Sequence, residues 1–131
     1  MQLNPGVSQV KELDLDATTH EATDAGFKVF ILSSGIATRD SFFDAVRKSI
    51  PLDPPIMSSR SWDALSDSLW SGLNSLDKDR VLIIWPNSAE MAKSSARDFE
   101  MALNVLKDVA VSLADREITN GHPKEIRVIV G

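Results

Sequence analysis

Apolar residues along this chain follow two spacings, and the places where one gives way to the other outline a fold. Phe27 to Leu32, FKVFIL, is a compact β-branched and aromatic run between Gly26 and Ser33-Ser34-Gly35, which predicts a buried strand. Phe42, Phe43, Val46 and Ile50 then recur at helical spacing behind a capping Thr38. Arg47 and Lys48 occupy that helix's last turn, where its dipole favours cations, and Pro51 ends it. The loop LDPPIMSSR is stiffened by Pro54-Pro55. Ser61 caps a second helix whose stripe is Trp62, Leu65, Leu69, Leu73 and Leu76. A second strand, Arg80 to Trp85, stops at Pro86-Asn87. The segment from about Ser95 to Asp115 carries Phe99, Ala102, Leu103, Leu106, Val109, Ala110 and Leu113 on one face, the strongest helical signal in the chain. A turn-rich stretch with Asn120-Gly121 and Pro123 leads to a last strand, Ile126 to Val130.

The order is β-α-α-β-α-β. Helices separate every pair of strands, which predicts an α/β layer structure with a three-stranded parallel sheet and right-handed crossovers, spanning residues 27–131. Residues 1–26 are polar and acidic with scattered apolar positions. They predict a loosely attached arm with one short extended piece near Val7 to Val10.

Composition narrows the classes. The chain of 131 residues suits one domain, and 25% charged with 43% hydrophobic residues is ordinary for a globular protein. Its densest apolar run, Val81 to Trp85, is too short to span a bilayer, and no basic patch followed by an apolar stretch opens the chain, so a cytoplasmic location is expected. Cysteine is absent, which excludes disulfides and thiolate chemistry. A net charge of -5 repels nucleic acid phosphates and favours a basic protein partner.

Within the second helix, SWDALSDSLW places Asp63 and Asp67 four residues apart, a spacing at which like charges cost a helix a few tenths of a kcal/mol. At about 100° per residue, Asp63, Ser66, Asp67, Trp70 and Asn74 share one side, away from the centre of the leucine stripe. The bland account is a dipole-favoured Asp63 beside a solvated Asp67. Catalysis by the pair is excluded, because carboxylates one turn apart on one helix point the same way and cannot flank a bond. His20 and His122 lie in weakly structured regions, and neither G-x-S-x-G, G-x-G-x-x-G nor a P-loop occurs, so no enzyme activity is expected. Ser33-Ser34-Gly35 offers backbone N–H groups after a strand but is a common kind of loop. Asp14, Asp16, His20 and Glu21 lack both a glycine-shaped calcium loop and a second histidine at helical spacing. No metal or cofactor is therefore expected.

The run Trp62-Asp63-Ala64-Leu65-Ser66-Asp67 resembles the D-A-L-x-D helix of the barstar family, small intracellular proteins that inhibit a secreted ribonuclease, barnase, by plugging its active site. G-I-A-T-R-D-S-F-F-D-A-V before it resembles the family's first helix and entry loop, Val81 to Trp85 its second strand, and Phe99-Glu100 the head of its long helix. The resemblance implies that Asp63 and Asp67 enter a basic cleft as phosphate mimics, with Glu100 adding an anion. Where the family usually has an aromatic, a glycine and an asparagine before this helix, the chain has Met57 or Ser58, Ser59 and Ser61; a tryptophan often found between the aspartates is Ser66, with Trp70 one turn onward. The expected partner-binding set is thus Met57, Ser59, Asp63, Ser66, Asp67, Trp70 and Glu100. The expected function is inhibition of a basic ribonuclease or related toxin. The alternatives are an interaction module of the same fold with a different target, or a small α/β enzyme or small-molecule binder.

Overall fold

The computed structural model of the protein describes residues 6–131. Its elements are β1 (Gly6–Gln9), α1 (Leu15–Asp24), β2 (Lys28–Ile31), α2 (Arg39–Ser49), α3 (Trp62–Asn74), β3 (Arg80–Trp85), α4 (Ala89–Ser94), α5 (Ala96–Leu113) and β4 (Glu125–Val130). All pairings are parallel, in the order β1-β4-β3-β2. The three expected strands lie side by side as anticipated, but the sheet has four strands rather than three. Gly6–Gln9 supplies the fourth by pairing with the outer edge of β4, with Val7 opposite Val128. An unpaired β4 edge would leave a row of backbone donors and acceptors unmatched, and the short Val7 segment fills it.

Residues 6–26 are accordingly packed structure and not a loose arm. Asp14 caps α1 by accepting from the Ala17 N–H, and the helix lies on the sheet. Chain direction explains which face it takes. The step from β1 to β2 crosses the sheet one way, while β2 to β3 to β4 returns. Right-handed crossovers then put the connecting helices on opposite faces. Strand alternation serves both: Val81, Ile83 and Trp85 turn toward α2, α3 and α5, whereas Leu82 and Ile84 turn toward α1.

Local signals account for the helices that carry the site. Thr38 and Ser41 form a reciprocal cap at the start of α2. Ser61 caps α3 by accepting from the Ala64 N–H. Phe42, Phe43, Trp62, Trp85 and Phe99 pack at centroid distances from 4.9 to 6.5 Å beneath the N-terminal ends of α2, α3 and α5. α4, which periodicity in the sequence did not reveal, is a short turn of helix that buries Met91 ahead of α5. Among the described residues no helix is long and apolar enough to cross a membrane.

Candidate protein-binding face

α3 and α5 run in the same direction. At their N-terminal ends Arg39 of α2 pairs with Asp98 at 2.9 Å and donates to the Arg60 carbonyl just before α3. At their C-terminal ends the buried Lys124 donates its Nζ to the carbonyls of Leu76 and Lys78, each at 2.7 Å, and its N–H to the Leu113 carbonyl. Between these ties the Trp70 indole donates to Ser112 Oγ at 3.0 Å. That bond marks the flank of each helix that meets the other.

On α3, Trp62, Leu65, Leu69 and Leu73 are buried, while Asp63, Asp67 and Asn74 are exposed. Neither Asp63 nor Asp67 joins an ion pair among the described residues. Three arginines are engaged elsewhere, Arg60 with Asp40 at 3.1 Å, Arg39 with Asp98, and Arg47 with Asp44, while the exposed Arg97, about 60° around α5 from Ser112, joins no ion pair among the described residues.

The remaining expected residues separate. Ser59 is exposed and accepts from the Ser61 N–H, at the entry to α3. Met57 is 82% exposed, on a loop held to α2 by Arg47, which donates to the Met57 carbonyl at 2.8 Å. Ser66 is half-buried. Trp70 is half-buried as well, and its polar atom is committed to Ser112, so it fastens α3 to α5 rather than standing free beside the acids.

Glu100 is exposed but on a different side of α5. At about 100° per residue it lies about 120° around the helix from Ser112, whereas Asp108 lies about 40° away. Asp67 and Asp108 each sit one turn before the Trp70–Ser112 bond on helices of common direction. Asp108, also exposed, is therefore the α5 acid on the flank toward Asp67. Sequence reasoning missed it because periodicity distinguishes buried from exposed but not which exposed flank meets a neighbour. Met101 falls about 20° from Ser112 on the same flank and is partly exposed. The exposed acids Asp63, Asp67 and Asp108 thus share one face, with Met101 and the cation Arg97 on the same flank of α5, while Met57 stands on the loop tied to α2.

Parallel strands, covering helices and an exposed acidic helix face define the class as a small α/β protein. The chain belongs to the barstar family: the family model described as Barstar (barnase inhibitor) matches residues 27–121. That span runs from the start of β2 through α5 and leaves β1, α1 and β4 outside it. No curated protein and no solved structure matches the chain.

Proposed function

We propose that this protein is an inhibitor or immunity protein that binds and blocks the active site of a basic ribonuclease or related toxin through the α3 face. The observation that carries the reading is the exposed Asp63–Asp67 couple, which joins no ion pair among the described residues while Arg39, Arg47 and Arg60 are each matched to another acid. In this reading Asp63 and Asp67 take the positions of RNA phosphates in a basic cleft. Asp108 extends the negative strip onto α5, and Met57, Ser59 and Ser66 surround it. Trp70 holds α3 in place, and Glu100 stands at the outer margin. Mutual repulsion of the aspartates costs the free protein a few tenths of a kcal/mol. A desolvated aspartate paired to arginine at an interface is worth several times that.

The test begins with affinity capture of the partner from the source cell, followed by ribonuclease assay of what is retained. Asp67→Ala is expected to weaken the complex by more than about 2 kcal/mol, mostly through the off-rate, and the on-rate should fall steeply with salt. Off-rates unchanged in both Asp63→Ala and Asp67→Ala would move the interface off α3. A second reading, an interaction module of the same fold with a target that is not a nuclease, is favoured by one feature. Met57, 82% exposed on a tethered loop, is an apolar contact that a purely phosphate-binding cleft would not match. A retained partner without nuclease activity would select it.

A further inference from the structure

Five of the chain's seven arginines pair with an acid: Arg39, Arg47, Arg60, Arg80 and Arg127. Arg97 and Arg116 join no ion pair among the described residues. Arg116 lies just past the C-terminal end of α5, where the helix dipole favours a cation. Arg97 has the opposite placement. It is the second residue of α5, at the positive end of the dipole, where a cation is disfavoured. Its neighbours do not offset this. Ser95 makes no side-chain cap, Asp98 in the same turn is committed to Arg39, and Glu100, three residues on, joins no ion pair among the described residues. An exposed arginine is ordinarily just solvated, but one held against its own helix dipole bears a cost that an anion from outside the chain would remove.

Arg97 also has a defined place beside the acids. It lies about 20° around α5 from Asp108 and about 16 Å before it along the helix axis, with Met101 between them on the same flank. α3 begins eight residues before Trp70, whereas Arg97 comes fifteen before Ser112. Measured from the Trp70–Ser112 bond, Arg97 therefore stands beyond the start of α3, past Asp63 and Asp67. The face is graded, with three carboxylates toward its middle and a cation at its N-terminal end. A uniformly basic partner surface would match the first and repel the second. We propose that Arg97 is a specificity-determining residue that pairs with an aspartate or glutamate of the protein docking on α3, about 16 Å from the cations that meet Asp108. This rests on the reading of α3 as the docking face. A charge that is unfavourable in the free helix is matched only in the complex, and a ribonuclease with no acid at that place is selected against.

The captured partner is the probe, and binding kinetics are measured for the full chain and for Arg97→Glu, Arg97→Ala and Arg97→Lys, with Asp63→Ala and Asp67→Ala alongside. The sign decides. Arg97→Glu makes the face more acidic, so attraction to a uniformly basic surface would tighten the complex, whereas a carboxylate opposite that position weakens it. Arg97→Glu is expected to weaken binding about tenfold or more at low salt, Arg97→Ala about two- to fivefold, and Arg97→Lys to keep most of the affinity. The free Arg97→Glu protein should be at least as heat-stable as the wild type, because an acid suits the first turn of a helix, so a lost complex would not reflect lost folding. Unchanged or tighter binding by Arg97→Glu overturns the proposal, and if Asp67→Ala still raises the off-rate, docking on α3 stands without it. Off-rates unchanged in both Asp63→Ala and Asp67→Ala, or no protein retained by the wild-type chain, remove the docking reading and this inference with it.

Discussion

Three long helices cover one face of the sheet, and a single short helix covers the other. Under α2, α3 and α5, Phe42, Val46, Leu65, Leu69, Leu73, Leu106 and Leu113 are almost completely excluded from water, and the aromatic cluster closes the end nearest the acidic strip. Under α1 the buried set is only Phe27, Leu82, Ile84 and Ile129, and α1 itself buries no residue fully. On the lightly covered face the strands also carry two arginines and a glutamate, Arg80, Arg127 and Glu125, among these apolar residues. The difference teaches where rigidity is needed. The helix that carries Asp63 and Asp67 is anchored on a full core, by Trp70 to α5, and by Lys124 at its end, which is the rigidity the proposed binding face would need to keep the two acids in register with a partner. No such demand falls on α1, and a thinner core suffices there.

The largest expected effect sets the two faces against each other directly. Leu69→Ala, at a fully buried position beneath the acidic strip, should lower stability by about 2–5 kcal/mol in urea unfolding. Leu15→Ala, at a half-buried position on α1, should cost about 1 kcal/mol or less, because its side chain already meets water in the folded state. Equal losses would erase the distinction between a heavy and a light face.

A second substitution probes how closely the heavy face is packed. Gly72 lies in the last turns of α3, where a Cβ would overlap the Pro51 carbonyl and approach Leu52 Cα at 3.2 Å. Helix propensity alone favours alanine over glycine there by about 1 kcal/mol. The collision should reverse that sign, so Gly72→Ala is expected to destabilise by about 1–3 kcal/mol. A stabilised Gly72→Ala variant would show that the loop after α2 yields freely and does not brace α3.

The same asymmetry explains what the amino-acid sequence disclosed. The heavy face was legible because its helices carry wide apolar stripes with capping residues at their starts, Thr38 for α2 and Ser61 for α3. The light face was not. α1 offers Leu15, Thr18, Thr19 and Ala22 to the sheet, too few and too polar to read as an apolar stripe. β1 is a four-residue strand recognisable only through Val7 and its partner edge, which lies more than a hundred residues along the chain. The sequence marks it only as a short extended piece near Val7 to Val10, and pairing over that separation leaves no local pattern to show which edge it joins. In the candidate site, exposure of Asp63 and Asp67 followed from the stripe, but the flank they share with Asp108 depends on how α5 is rotated. Only the Trp70–Ser112 contact shows that rotation.

The smallest expected effect is the most specific to the acidic strip. Asp63 and Asp67 are one turn apart, exposed and unpaired, so replacing one charge removes a repulsion that the helix bears in isolation. Asp67→Asn should therefore raise stability by a few tenths of a kcal/mol, the size of an i,i+4 like-charge pair. The gain should shrink as salt screens the repulsion. In the same variant the complex with the captured partner should weaken, giving opposite signs for folding and for association at one residue. Asp77→Asn, an exposed acid in the turn after α3, is the control and should leave association unchanged. Loss of stability in Asp67→Asn would mean that the carboxylate supports the fold, and the strip would then be a structural feature of α3 rather than a surface held ready for a basic partner.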